Sequence, residues 1–192
     1  KDVAVVINVE NRGTFGASNL FETSRGNRWL IRHLASAMPR PHATSFFATV
    51  YDLLPNDTDV TVFRRAGKAA VNFAAIRGVN WYHTPLDDVE HASPRTLQHH
   101  GENMLGALRA LANADLAARS GSDAVFFDLL GLTMVWWPAG WTPWMAAASL
   151  ALIVGLLVGP RAPVRERVQA PAARGAKAPL AERLKRGLAY GL

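Results

Sequence analysis

The chain has 192 residues, of which 49% are hydrophobic and 19% charged, so it can bury a sizeable core and is not a disordered tail. It contains no cysteine, which excludes disulfides, thiolate metal sites and cysteine nucleophiles and leaves His, Asp and Glu as possible transition-metal ligands. The formal net charge is +6, but most of the excess lies beyond residue 160, so the basic composition by itself does not indicate a nucleic-acid-binding protein.

The first predicted element is a strand at residues 3–9, a nearly continuous β-branched run typical of a strand buried on both faces of a sheet. Because a domain rarely begins on a central strand, we expect that further parts of the same domain precede Lys1 in a longer protein.

The next elements alternate between helix and strand. A glycine-containing loop leads to a short strand at residues 20–23, and apolar residues at helical spacing predict a helix over residues 26–38. Further helices are predicted at residues 44–54 and 60–66, followed by a strand at residues 69–76. This alternation predicts an α/β layered domain.

A polar loop, residues 81–88 (WYHTPLDD), follows that strand. A histidine held at the carboxyl end of a strand, beside Tyr82 and two carboxylates, is how a catalytic metal ligand is usually presented. A surface hydrogen-bonding pair is the alternative interpretation of Tyr82 and His83. Asp87 and Asp88 are positioned to cap or orient the loop, and for Asp88 a structural role is expected.

A long helix is predicted to begin after this loop, with Ser93 as N-cap and Pro94 in its first turn, and to continue to about residue 119. Five apolar residues predict its buried stripe: Leu97, Met104, Leu105, Leu108 and Leu111. His99 and His100 look like a metal site, but neighbouring helix positions point about 100° apart, so we expect them at the surface or in packing contacts.

The composition changes after residue 120. Residues 141–159 are apolar and, at ~1.5 Å per residue, roughly 28 Å long, which predicts a transmembrane helix, with a buried core helix as the alternative. Residues 124–137 are expected to form a strand or an interfacial segment, and nearby tryptophans suit an aromatic belt: Trp136, Trp137, Trp141 and Trp144. The basic residues that follow indicate a cytoplasmic tail and an extracytoplasmic α/β domain, and anionic lipid is a simpler partner for them than nucleic acid.

Four motifs carry a resemblance to a known family: residues 8–14 (NVENRGT), 21–23 (FET), 56–67 (NDTDVTVFRRAG) and 82–87 (YHTPLD). In this order they resemble the second half of the catalytic domain of the co-catalytic di-zinc aminopeptidases. That group includes secreted aminopeptidases, glutaminyl cyclases and multi-spanning metallopeptidases of the endoplasmic reticulum type. The resemblance covers roughly residues 1–115, and the apolar tail resembles the multi-spanning branch. It implies a three-layer αβα domain with a mixed central sheet, followed by a transmembrane helix.

The resemblance also implies a set of site residues. Glu10 and His83 stand at metal-ligand positions, and Tyr82 matches a catalytic tyrosine that donates its hydroxyl to the oxyanion. Asp59 and Asp87 have supporting or substrate-orienting roles, although Val60 stands where the family often has a histidine. A carboxylate and an imidazole also suit zinc on chemical grounds, whereas an ion pair with Arg12 or Arg65 is the alternative role for Glu10.

The remaining ligands and the general base of the family are expected upstream of Lys1, so this polypeptide alone is expected to be inactive. The complete protein is predicted to be a membrane-anchored aminopeptidase that uses two zinc ions to remove amino-terminal residues from peptides. Alternatives are a glutaminyl cyclase-like aminoacyl transferase with a single zinc and a non-catalytic peptidase-like ectodomain. Expected partners are a peptide substrate and the lipid bilayer, and not nucleic acid.

The predicted organisation has four parts. Residues 1–120 form the second half of the catalytic domain, residues 121–140 approach the membrane, residues 141–159 cross it, and residues 160–192 form a basic cytoplasmic linker. The chain has neither a nucleophile-elbow motif nor a P-loop, so serine-hydrolase and P-loop chemistry have no support.

Overall fold

The structure, a computed structural model, describes residues 3–55, 57–119 and 121–159. In chain order its strands and helices are β1 (Val5–Asn11), β2 (Asn19–Thr23), α1 (Arg28–Ala37), β3 (His42–Ala43), α2 (Ser45–Tyr51), α3 (Asp59–Arg65), β4 (Ala69–Ala75), α4 (Pro94–Ala112), β5 (Ala124–Leu129), β6 (Thr133–Pro138) and α5 (Thr142–Val158). The predicted basic linker, residues 160–192, lies outside the described residues.

A mixed four-stranded sheet with the order β1-β4-β2-β3 lies at the centre of the domain. Strand β1 pairs in parallel with β4, with Glu10 opposite Ala74, whereas β2 is antiparallel to β4 and parallel to β3. The mixed α/β fold is therefore confirmed. Because β1 and β4 are parallel neighbours, their carboxyl ends meet at one edge of the sheet, where ligands bind in open α/β sheets.

The two faces of the sheet differ in chemistry. On one face Val71 and Phe73 of β4 are fully buried against α1 and α4 in a core cluster that includes Leu30 and Leu34. Burying each large apolar side chain contributes roughly 1.5–3 kcal/mol, so this face supplies most of the stability. The other face carries the buried polar residues Glu22 and Asn72, and α3 packs over it.

Helix α4 agrees with its predicted buried stripe at Leu111 and Met104 but differs at the other three leucines and in length. Leu97 and Leu108 are 74% and 57% exposed, and the helix ends at Ala112. Its buried residues are Thr96, His99, His100, Asn103, Ala107 and Leu111. The physical reason is a close approach to α1, since a Cβ added at Gly106 would lie 2.2 Å from the carbonyl oxygen of Ala37. Small or hydrogen-bonding side chains fit this gap better than leucines.

His99 and His100 occupy packing positions in this interface. His99 accepts a hydrogen bond from the Ser18 N–H at Nδ1 (3.2 Å) and donates from Nε2 to the Arg40 carbonyl (2.8 Å), so both ring nitrogens are used in the neutral state. His100 Nε2 lies 3.0 Å from Oδ1 of Asn11. Burial, and to a lesser degree the neighbouring His99, lower the pKa of His100.

Residues 124–138 form an antiparallel hairpin of β5 and β6. Phe126 and Met134 of its inner face belong to the core cluster, and Trp136 packs against that cluster. A strand was predicted here, but Trp136 is not free to join an aromatic belt, because the hairpin turns it toward α1. Trp141 and Trp144 are 62% and 77% exposed.

The last described element is α5. Residues 139–158 form a helical stretch that is long and apolar enough to cross a membrane, and none of the apolar stretch is buried within the structure. The buried-core alternative for this helix is therefore not observed. The chain divides into compact units at residues 1–151 and 152–192, and only residues 152–159 of the second unit are described.

Candidate metal centre

The two predicted metal ligands lie near the carboxyl end of β1 and in the loop after its neighbour β4. Glu10 is the sixth residue of β1, and His83 lies in the loop that follows β4. The segments that leave the two strands are bonded to each other: Arg12 N–H donates to Ala75 O (3.1 Å), and Phe15 and Arg77 exchange two backbone hydrogen bonds. The fold therefore places Glu10 and the start of the His83 loop at the same end of the sheet.

The contact between these segments leaves no room for a side chain. A Cβ added at Gly13 would lie 2.0 Å from the carbonyl oxygen of Arg77, so a glycine is required where the β1 loop crosses the β4 loop. Phe15 also packs on Trp81, with ring centroids 6.4 Å apart. The glycine of the NVENRGT motif thus has a structural explanation.

Glu10 is half-buried and is not engaged by the arginines considered as its ion-pair partners. Arg12 donates instead to the Tyr51 hydroxyl (3.2 Å) and to the Asp57 carbonyl (3.3 Å), and Arg65 pairs with the Asp57 carboxylate. In the described part of the chain, Glu10 Oε2 has one long contact of 3.5 Å, from Nδ2 of Asn72. The carboxylate of Glu10 thus keeps most of its coordinating capacity.

Asn72 connects Glu10 to a buried carboxylate that the sequence analysis did not single out, Glu22. Asn72 is fully buried, accepts a hydrogen bond from Asn8 (3.0 Å) and donates to Glu22 (3.1 Å) as well as toward Glu10. The signal in the sequence was a glutamate in the middle of a strand, within the motif FET, where a charged side chain requires an explanation.

Glu22 is 1% exposed and holds three hydrogen-bond partners. Besides Asn72, it accepts from the Thr58 hydroxyl (2.9 Å) and from Nη1 of Arg64 (2.6 Å). Arg64 also pairs with Asp52 at 2.8 Å. Burial opposes the charge of Arg64, but hydrogen bonds to Asp52 and Glu22 outweigh burial and raise the pKa of Arg64. The buried carboxylate is therefore fully compensated, as a buried charge must be.

His83 has an unusual backbone. Its φ is 59°, the left-handed region, and its exposed ring stacks on Tyr82 with centroids 3.9 Å apart and planes at 21°. The Asp87 carboxylate accepts from the His83 N–H at 3.2 Å. Non-glycine residues in this region cost about 1–3 kcal/mol and cluster at functional sites. The hydrogen bond from the His83 N–H is a contact through which Asp87 can orient the loop.

The rest of the loop is held by contacts among its own side chains. Asp88 accepts from the backbone N–H and from Nδ1 of His91, at 2.9 and 2.5 Å, and these hydrogen bonds lower the pKa of Asp88. The His91 ring in turn contacts Trp81 edge-on, with centroids 4.9 Å apart. Asp88 thus has the structural role that was expected of it.

Asp59 lies apart from these contacts. It is exposed and is the first residue of α3, where a carboxylate interacts favourably with the amino terminus of the helix. Its neighbour Thr58 forms a capping box with Thr61. Its predicted role in substrate orientation therefore stays a prediction.

The donor set fits part of a zinc site. Carboxylate oxygen and imidazole nitrogen are both zinc ligands, and a catalytic zinc takes three protein ligands. Within residues 3–55, 57–119 and 121–159, no group of three or more His, Asp or Glu residues is placed to hold a metal ion. Glu10 and His83 can thus supply two ligands of a larger set.

Comparison with known proteins identifies the class. Residues 1–108 match the family described as peptidase family M28. Endoplasmic reticulum metallopeptidase 1 of Rattus norvegicus and that of Homo sapiens are each 31% identical to this chain over 144 residues, covering 71% of the chain and 16% of the relative. The vacuolar membrane protease of Eremothecium gossypii is 29% identical over 161 residues, covering 82% of the chain and 16% of the relative. No solved structure matches.

The mixed α/β fold and the family match agree. The chain belongs to peptidase family M28, and within that family to the branch that resembles the endoplasmic reticulum metallopeptidases, as the motifs predicted. It spans 16% of the length of the relatives named here.

Proposed function

We propose that the protein containing this chain is a membrane-anchored zinc aminopeptidase and that Glu10 and His83 bind its metal. One observation carries the proposal. Glu10 lies near the carboxyl end of β1, His83 lies in the loop after the parallel neighbour β4, and the segments beyond the two strands are joined by backbone hydrogen bonds. Relatives named as metallopeptidases support the reaction class, and the motif resemblance supports the aminopeptidase specificity and the use of two zinc ions.

Each residue has a part in the proposed chemistry. Zinc, when bound, supplies Lewis acidity for the scissile carbonyl and lowers the pKa of a water. Glu10 and His83 hold the metal, which requires an ionised carboxylate and a neutral imidazole. Asn72 makes a long 3.5 Å contact with the carboxylate of Glu10, and Asp87 accepts a hydrogen bond from the backbone of His83. Tyr82, whose ring stacks on that of His83, donates its hydroxyl to the oxyanion in this proposal.

The membrane anchor is the second part of the proposal. Residues 139–158 are proposed to span the bilayer, with the basic residues 160–192 in the cytoplasm and the α/β domain on the other side. The exposure of the whole apolar stretch supports this, because an unburied apolar helix of this length is unfavourable in water.

Zinc content and hydrolysis test the proposal in the full-length protein. Glu10→Ala and His83→Ala are expected to lose bound zinc and the release of amino-terminal residues from peptides, because each removes a ligand. Glu90→Ala and His33→Ala are the matched controls: Glu90 is exposed, and His33 bonds to Trp29 O on α1. Unchanged zinc content and hydrolysis in either ligand variant would overturn the assignment. Pyroglutamyl products instead of free amino acids would assign the cyclase reaction.

A further inference from the structure

Helix α2 carries its apolar side chains on the outside. None of its residues is buried, and Phe46 is 68% exposed. Val50, one turn later, is 37% exposed, and Leu53, just beyond the helix, is 80% exposed. Tyr51 points the other way, packing edge-on against Phe21 with ring centroids 5.0 Å apart. The outward side of α2 is therefore an apolar ridge.

The β5–β6 hairpin has a second apolar surface on its outer face. Phe127 of β5 lies opposite Val135 of β6, and they are 38% and 37% exposed. At the tip, Leu130 and Leu132 are 87% and 77% exposed. Asp128 lies on the opposite face, paired with Met134, and its carboxylate accepts hydrogen bonds from the backbone of Ala43 and Gly131.

The choice of residue at the tip is unfavourable for a hairpin in water. Leu130 has φ 55°, a left-handed position where turns favour Gly, Asn or Asp. A leucine there is both strained and exposed. Contact between the hairpin tip and an apolar medium would remove the cost of exposing this leucine to water.

The ridge of α2 and the outer face of the hairpin adjoin. Thr44, the N-cap residue of α2, forms an antiparallel bridge with Phe127, and the Ser45 hydroxyl bonds to the Phe126 carbonyl at 3.2 Å. We call the combined surface, represented by Phe46, Leu53, Phe127 and Leu130, the apolar platform. Asp52, next to Leu53, has a 46% exposed side chain and pairs with Arg64.

The chain indicates what covers the platform. Three residues separate β6 from the apolar helix α5, and Trp137 Nε1 donates to the Thr142 hydroxyl at 3.0 Å, which joins the strand end to the helix start. If α5 enters a bilayer, the carboxyl end of β6 must lie at the bilayer surface, and the outer face of the hairpin is within reach of the lipid. Aromatic and leucine side chains are the residues that favour the headgroup boundary.

We propose that the apolar platform docks on the lipid bilayer beside the point where α5 enters it, so that the domain lies against the membrane in one orientation. This inference rests on the proposed membrane anchor. It adds a second lipid contact, one made by the folded domain and separate from the spanning helix.

The absence of cysteine from the chain permits a site-specific test in the full-length protein, with any cysteine elsewhere replaced by serine. Single variants Phe46→Cys, Leu130→Cys, Leu97→Cys and Ser149→Cys are labelled with an environment-sensitive nitrobenzoxadiazole dye. Each is reconstituted in phosphatidylcholine vesicles with lipids spin-labelled at a shallow or a deep position. Leu97 is the matched control, because it is an apolar residue of α4 that is 74% exposed. All four positions are exposed, so circular dichroism is expected to be unchanged.

The expected result is that dyes at positions 46 and 130 emit at shorter wavelength and lose most of their emission to the shallow spin label. The dye at position 149 is expected to be quenched by the deep label and the dye at position 97 by neither. Quenching at 149 without quenching at 46 and 130 would overturn the docking and leave the anchor in place. No quenching at 149 would overturn the anchor itself. A blue shift at 46 and 130 without lipid quenching would show that protein covers the platform, which also overturns the proposal.

Discussion

Removing the positive partner of Glu22 is expected to destabilise the domain strongly. In Arg64→Met the Glu22 carboxylate, 1% exposed, would lose its 2.6 Å hydrogen bond and its only ion-pair partner within the described residues. Breaking a buried ion pair from one side typically costs about 3–5 kcal/mol. For a folding unit of about 150–250 residues, this loss of stability corresponds to a fall in melting temperature of roughly 6 to 20 °C.

The neighbouring arginine provides the control. Arg65 pairs with Asp57 on the surface, with side chains 72% and 66% exposed, and an exposed pair contributes about 0–1 kcal/mol. Arg65→Met is therefore expected to melt close to the unchanged protein. In the double variant Glu22→Gln with Arg64→Met, the neutral amide removes the uncompensated charge, so part of the lost stability should return.

Thermal unfolding of the full-length protein in detergent, followed by near-UV circular dichroism, measures these differences. The reasoning would be refuted if Arg64→Met and Arg65→Met lowered the melting temperature equally, or if Glu22→Gln made Arg64→Met less stable still.

Further outcomes are expected at three places. Tyr82→Phe should lower kcat by roughly ten- to a thousand-fold with KM and zinc content unchanged, because the hydroxyl acts on the transition state; a change confined to KM would assign Tyr82 to substrate binding. Because burial lowers the pKa of His100, the unfolded chain binds more protons than the folded one below pH ~6.5. The free energy of unfolding should therefore fall below that pH, by at most ~1.4 kcal/mol per pH unit. His100→Asn should flatten this slope in pH-dependent melting, and an unchanged slope would contradict the reasoning. A reporter cysteine at Ala170 should be shielded from an impermeant thiol reagent in intact cells and one at Gly121 labelled, since basic flanks stay in the cytoplasm. The reverse pattern would invert the topology.

The predicted helices and strands that proved correct share a strong local signal. Strand β4 is apolar apart from Asn72, and α4 begins where Ser93 and Pro94 predicted, with the Ser93 hydroxyl accepting from Thr96 N–H. Helix α2 is shorter than predicted and β3 was not predicted, because two residues are too few to show a pattern. Strand β3 forms by parallel pairing with the edge of β2, where Asn19 lies opposite His42.

The residues of the candidate site also differ in how far the sequence alone could predict their roles. Residue type and order in the motifs were enough to select Glu10, Tyr82 and His83, since zinc chemistry needs a carboxylate and an imidazole wherever they come to lie. The role of Glu22 could not be assigned from its strand alone, because its partners Thr58, Arg64 and Asn72 come from distant parts of the chain.

The sequence by itself determined the family, the α/β class, the ligand candidates and the apolar span, because each of these depends on neighbouring residues or on the order of short motifs. Only the tertiary structure decided the sheet order, the polar buried face of α4 and the left-handed backbone of His83. The physical reason is that these features depend on contacts between distant segments. At Gly106 the approach of α1 removes the space that a leucine stripe would need. At His83 the surrounding loop contacts hold a backbone conformation that the residue alone would not prefer.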